Sequence, residues 1–450
     1  MGNTPTLDFE LQSSAEGSRP TLVVGGGIAG LVCARHLSRA GRQVVLYERE
    51  DDVGGRVRTT VRDGFRLDHG FQVLFTAYPT LCAELDLQAL ELREFRPAAQ
   101  IYDGSGNPSL VGDALAEPSL LWPTLRAPSL SVRDKMRMLR LRYLATSLSF
   151  DECFDSRYDQ ISTREFLRRS GFSAHAISHF FAPFYGGILL DRSLESAASV
   201  LMYTFKMLAE GRTAVPAAGM GAIAAQLARS LPASVVRCGT AVSRLLRDDH
   251  GPIRGVVLSS GDTVFASSVV LAGEAPSIAA LASTARVSVP VPTERLGCTT
   301  VYLASKTPLL AGTALWLNAA AGATVSHAIT ISDVAPSYAP PGSSLTAATV
   351  LGEAAVLDDA ALVRKVRADL AAMGRNPEAA TAELLAVWRV PYSQYAQPPG
   401  TFGRRIAAVT AAPGLFLASE IGHTSSLEGA ARGGVAAADA MLRDPSATPG

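Results

Sequence analysis

The chain has 450 residues, 48% of them hydrophobic and 18% charged, which is ample for a large buried core and argues against a disordered chain. Its 41 Lys and Arg balance 41 Asp and Glu, so net charge gives no support to a nucleic-acid partner. The five cysteines (Cys33, Cys82, Cys153, Cys238 and Cys298) are widely spaced without a CxxC, which argues against a disulfide framework or zinc site and points to a reducing compartment.

Residues 1–18 are polar, lack a basic-then-apolar pattern and read as a flexible tail without a secretory signal. From Thr21 the chain runs TLVVGGGIAGLVCARHLSRAG. A short β-branched strand enters Gly25, and Gly25, Gly27 and Gly30 fit G-x-G-x-x-G. The first glycine allows a tight turn, the second lets backbone approach a pyrophosphate, and the third allows close helix–strand packing. A helix predicted from Ile28 to about Ala40 aims its N-terminus at that phosphate, with Ile28 and Ala29 in its first turn, and Gly41 ends it. The next predicted strand, Gln43–Tyr47, delivers Glu48, 18 residues past Gly30. That is close to the roughly 20 expected of a ribose-binding acid, and an acid there favours FAD or NAD over a 2′-phosphorylated cofactor. Gly54-Gly55-Arg56 follows Glu48 and Arg49: paired glycines bring N–H groups close, and a guanidinium offers forked donors to oxyanions.

Residues 76–215 read as mostly helical, and within them Arg133, Lys135, Arg137, Arg140 and Arg142 interleave with Met136, Met138, Leu139, Leu141 and Leu144. Such a helix is either a solvated face or a basic amphipathic surface for an anionic membrane. A helical run at Ile223–Leu231 is followed by alternating segments Val235–Leu246, Ile253–Ser259 and Thr263–Ala272, broken at Gly251-Pro252 and Gly261-Asp262. Residues 284–401 mix strands, Pro-rich turns and one helix near Asp358–Met373. Leu415–Ala418 reads as a buried strand and Leu427–Leu442 as an Ala-rich helix. The expected fold class is α/β, with 19–75, 216–283 and 402–450 forming a Rossmann-type dinucleotide domain. Residues 76–215 and 284–401 form a discontinuous α+β second domain. No apolar run spans a bilayer. The expected location is cytoplasmic, with contact to a membrane surface left open.

The segment EREDDVGGRVRT resembles the glycine-glycine-arginine motif of the FAD-dependent amine oxidase, protoporphyrinogen oxidase and phytoene desaturase superfamily. The resemblance implies bound FAD, with Gly54, Gly55 and Arg56 beside its pyrophosphate. Leu67–Leu74 is similar to the segment beside the isoalloxazine, which puts Gly70, Phe71, Gln72 and Val73 there. Pro216–Leu231 resembles the family's Pro-Gly-Gly-Met helix, with Ala218 in place of its first glycine. Val242 matches a position whose backbone reads adenine. Glu420 matches the acid that meets ribityl or pyrophosphate, and Ser426-Leu427 starts the helix that faces the flavin pyrimidine ring.

Amine oxidases of this superfamily build an aromatic cage partly from a C-terminal tyrosine, where this chain has Thr424-Ser425-Ser426. The stretches HGFQVLFTAYPTL and SSLEGAARGG instead resemble plant-type carotene desaturases and squalene-oxidising relatives, although Gln72 stands near their histidine. The implied reaction is dehydrogenation of a lipophilic polyene or terpenoid, with hydride going to flavin N5. An amine oxidase or protoporphyrinogen oxidase, a redox-neutral polyene isomerase and a non-enzymatic lipid-binding escort protein remain alternatives. His69 and Gln72 are positional candidates for a catalytic role. His175 and His179 stand at i, i+4 without a third ligand or intervening acid, so no metal is expected. Oligomeric state has no sequence signal.

Overall fold

The structure is a computed structural model that describes residues 19–106 and 108–444; the expected tail at 1–18 lies outside the described residues. Strand Thr21–Val24 lies at the centre of a five-stranded parallel sheet. Val44–Tyr47 and then Val236–Arg237 lie on one side, Ser268–Leu271 and Leu415–Leu417 on the other. Leu22 and Val23 are fully buried because both faces of the sheet are covered: Val23 joins the core of helix Ile28–Arg39, and Leu22 a second core with Leu245, Ile253, Val256 and Ile278. Helix Ile28–Arg39 packs on one face against helix Leu427–Arg443. The approach is close at Gly434, where an added Cβ would lie 2.4 Å from the Ala29 carbonyl oxygen.

A seven-stranded sheet forms the second layer system, in the order Glu383–Tyr395, Arg295–Ser305, Ser344–Val350, Val325–Thr330, Leu315–Asn318, Ala98–Tyr102, Ser109–Gly112. Its central strands are buried on both faces. Val301, Leu303, Ala348 and Val350 meet Leu362, Val366 and Leu370 of helix Asp359–Gly374. Alternate residues, among them Thr300, Tyr302 and His327, face the nucleotide-type half, as the two-residue period of a strand requires. The strands of the parallel sheet come from 19–75, 216–283 and 402–444, and those of the large sheet from 76–215 and 284–401. We propose these as the two domains.

Three elements differ from the sequence reading. The stretch 92–112 is not helical: it supplies three strands, because Ala98–Tyr102 finds a parallel partner in Leu315–Asn318 more than 200 residues away. The run Val235–Leu246 splits into Val236–Arg237 in the parallel sheet and Val242–Arg247 in a separate three-stranded antiparallel sheet. Gly239, at φ 64°, lies between them, in the left-handed region that breaks a strand. Likewise Thr263–Ala272 divides into Thr263–Phe265 and Ser268–Leu271, in different sheets.

The hairpin Thr59–Arg62/Phe65–Asp68 carries more of the architecture than its length implies. Asp63 and Gly64 both have positive φ, as a two-residue type I′ turn demands. Asp68 closes it and is 4% exposed. Its carboxylate accepts from Thr59 Oγ1, the Met220 N–H and Tyr338 Oη, while its carbonyl accepts from Tyr302 Oη. Burial pushes its pKa up to about 6, with the Thr59, Met220 and Tyr338 hydrogen bonds pulling the other way. A carboxyl whose pKa is higher folded than unfolded binds its proton more tightly when folded. Its contribution is therefore fully present below about pH 4 and is lost as pH rises through 6. Relative to Asp68→Asn, the wild type is expected to lose roughly 2 kcal/mol of stability between pH 4 and 7. Denaturant titrations of both proteins at the two pH values check this, and parallel pH dependences would refute it.

Among the described residues no helix is long and apolar enough to cross a membrane.

Candidate functional site

The glycine loop follows from local sterics. Gly25 adopts φ 117°, and a Cβ there would lie 2.0 Å from the Ala272 carbonyl oxygen. At Gly30 a Cβ would lie 2.0 Å from the Gly25 carbonyl oxygen, so helix and strand approach only because both positions lack side chains. Gly27 differs: nothing lies within 4 Å of its would-be Cβ, which leaves its backbone open to the cavity. Glu48 is 7% exposed; its carboxylate accepts from the Gly26 and Glu50 N–H groups and is thereby fixed beside the loop. The second glycine pair folds back on the first, with Gly54 N–H donating to the Gly26 carbonyl and Gly27 bridging Gly54.

The hairpin then sets Arg56 beside His69–Val73, since His69 N–H donates to the Arg58 carbonyl. Arg56 donates to Glu420 at 2.6 Å and to the Ser393 carbonyl at 2.6 Å. Burial works against its charge, but the facing Glu420 carboxylate outweighs that and raises its pKa. Gln72 Nε2 donates to the carbonyls of Arg56 and His69 and so ties the two segments together. His69 bonds Thr60 through Nε2 and lies over Trp388 with ring centroids 3.8 Å apart. Desolvation and Arg58 lower its pKa to about 4, so it is neutral at pH 7.

Helix Leu427–Arg443 begins at Ser426, whose hydroxyl accepts from the Gly429 N–H. Gln397 Oε1 accepts from the Ser425 N–H and Thr424 Oγ1 and steadies that turn. Fully buried Glu428 accepts from the Thr80 and Leu81 N–H groups, the first turn of helix Pro79–Ala83. The AYP and SLEG segments, about 350 residues apart, thus meet in one contact.

Most of these parts border one cavity of about 860 Å³, a size suited to a large organic ligand. It is lined by Gly25, Gly27, Ile28, Ala29, Glu48, Arg49, Gly54, Gly55 and Arg56. His69, Gly70, Phe71, Gln72, Val73, Val242, Glu420, Ser426 and Leu427 complete the sequence-predicted lining. Gly30 alone of the predicted set stands behind the wall, packed on Gly25. The sequence reading missed Trp388, Tyr392, Thr349 and His327, which also line the cavity and lie in strands that carry no motif. Gln72 Oε1 and Ser425 Oγ are buried without a partner, as expected of a cradle shaped for a ligand rich in polar atoms. The set has the chemistry to hold a dinucleotide, and we propose Glu48 for ribose, the two glycine pairs for pyrophosphate and the helix N-terminus at Leu427 for electron-rich ring atoms.

A parallel nucleotide sheet, a double glycine cradle with its arginine, and a C-terminal helix start on the same cavity together define an FAD-dependent oxidoreductase. Residues 28–442 match the family described as flavin containing amine oxidoreductase, and the chain belongs to that family. It is 31% identical over 192 residues to the carotenoid phi-ring synthase of Streptomyces griseus, covering 40% of this chain and 37% of that protein. It is 33% identical over 140 residues to the coproporphyrinogen III oxidase of Propionibacterium freudenreichii (30% and 27% coverage). With the phytoene dehydrogenase of S. griseus it shares 43% identity over 93 residues (19% and 18%). The matched stretches thus span well under half of these relatives. An oxidoreductase structure from Methanosarcina mazei superposes with TM-score 0.72 at 19% identity, covering 94% of this chain and all of that one, which establishes the shared fold.

Proposed function

We propose that this enzyme dehydrogenates a lipophilic polyene or terpenoid. The observation that carries this reading is the second-domain wall of the cavity. Phe184, Ile188, Leu189, Leu190, Leu315 and Trp388 face it, and no Asp or Glu from that domain lines it. A protonated amine has no counter-charge there. On that wall a substrate with several carboxylates would meet only Arg389, which is already paired with Asp359. The names of two sequence relatives, a carotenoid ring synthase and a phytoene dehydrogenase, support the same substrate class.

FAD, when bound, supplies the acceptor for a hydride removed from carbon. The chain's own residues position and shield. The Arg56–Glu420 pair and the Gln72 clamp fix the segments around the cofactor site, and the apolar wall excludes water from the reacting end. We assign Gln72 a tethering role and His69 a wall position, since the first carries no titratable proton and the second is held by Thr60 and Trp388. Anaerobic mixing with polyenes, squalene-like terpenoids, porphyrinogens and amines tests the proposal. Polyene or terpenoid is expected to bleach the flavin absorbance; bleaching by amines or porphyrinogens alone would overturn it.

An apolar substrate needs a route from a membrane, and a surface patch supports one. In helix Val132–Ser147 the residues Val132, Met136, Leu139 and Tyr143 recur at helical spacing and are 60–76% exposed. Trp122, 65% exposed, adds to it from helix Leu121–Arg126. The five basic residues divide. Lys135 caps the Leu125 and Ala127 carbonyls, Arg137 pairs with Asp134 and Arg142 with Asp113. Arg133 and Arg140 stay exposed. The outward stripe is therefore apolar with basic flanks, suited to an anionic bilayer surface. Met136→Glu/Leu139→Glu is expected to cut retention on anionic liposomes about tenfold or more. Equal partition of the wild type to neutral and anionic liposomes would sink the idea.

A further inference from the structure

The second-domain wall holds one titratable group with no assigned task. His327 lies on strand Val325–Thr330 and is 5% exposed. Its Nδ1 is fully buried and has no hydrogen-bond partner among the described residues. The ring is wedged between Phe71, at 5.2 Å between centroids, and Gly187, where an added Cβ would lie 2.7 Å from Nδ1. Its register neighbour on the next strand, Thr349, also lines the cavity, and its hydroxyl is likewise buried and unpartnered. Behind them Arg192 donates to the Asn318 carbonyl, and its positive charge bears on the imidazole. Desolvation, then Arg192, lower the His327 pKa to about 4, so the ring is neutral at pH 7.

Buried polar atoms in native proteins are nearly always paired, and a pure hydrocarbon would leave these two side chains unsatisfied. A neutral imidazole keeps one N–H to donate, and a buried cation behind it favours an electron-rich partner. We infer that His327, assisted by Thr349, reads an oxygen acceptor on an otherwise apolar substrate. The substrate class is thereby an oxygenated polyene or terpenoid, bearing a carbonyl or hydroxyl, rather than a plain hydrocarbon. The inference rests on the apolar-substrate reading above and adds the polar mark that this substrate carries.

The test uses the FAD-loaded enzyme and two probes of equal chain length, a conjugated polyene aldehyde and its oxygen-free hydrocarbon. Binding is read by quenching of tryptophan emission, since Trp388 lines the cavity. The wild type is expected to bind the aldehyde about tenfold more tightly, the scale of one hydrogen bond. His327→Leu is expected to bind the two probes equally while keeping its affinity for the hydrocarbon. Gly187→Ala, which forces the imidazole aside without removing it, is expected to lose the same preference. Equal wild-type affinities, or a preference that survives His327→Leu, would overturn the inference and leave the polyene reading standing. Failure of both probes to bind the wild type would overturn the polyene reading and this inference with it.

Discussion

Gly25→Ala is expected to yield protein without the yellow cofactor. At φ 117° a side chain costs about 1–3 kcal/mol in backbone strain alone. The added Cβ would also lie 2.0 Å from the Ala272 carbonyl oxygen, so the loop or the neighbouring strand must move. Either shift displaces the backbone that approaches the pyrophosphate. Gly27→Ala makes the contrasting case, because its φ is −73° and nothing lies within 4 Å of the new methyl. That variant is expected to fold with unchanged apo stability and to bind FAD more weakly, since the methyl projects into the ligand's space. Flavin absorbance per mole of purified protein, with thermal melts of the apo forms, separates the two. Full flavin occupancy in Gly25→Ala would refute the loop geometry as the origin of binding.

The second large effect concerns the Arg56–Glu420 pair. Glu420 is 5% exposed, and Arg56 is its only ion-pair partner among the described residues. Arg56→Ala leaves a buried carboxylate without compensation and is expected to cost about 3–5 kcal/mol. The double variant Arg56→Ala/Glu420→Gln removes the stranded charge and is expected to recover most of that loss, although the Ser393 carbonyl also loses its donor. Urea titrations of the apo proteins measure the cycle. Equal destabilisation of the single and double variants would show that Arg56 acts through packing over Tyr392 rather than through its charge.

The motifs that could be read directly are those whose physics is local. Gly25, Gly27 and Gly30 are legible because tight turns and close packing forbid side chains at fixed offsets along a few residues. Glu48 and Gly54-Gly55-Arg56 follow at short spacing, in the turn just past strand Val44–Tyr47. The Asp63-Gly64 turn was equally available as a signal, and it explains why Arg56 and the His69–Val73 segment share one edge of the cavity. The strands within 92–112 were not available, because short segments take strand form only when a distant partner supplies the ladder, here Leu315–Asn318.

By itself, then, the sequence determined the family and the cofactor. The tertiary structure decided which side chains share the cavity. His327 lies in an ordinary apolar strand, VSHAIT, and gains meaning only from Phe71, Gly187, Thr349 and Arg192, all at least 20 residues away along the chain. The physical reason is that backbone sterics act between near neighbours and leave a pattern in the chain. Desolvation and unpaired hydrogen bonds are properties of an enclosed volume, and they exist only once distant segments have closed around it.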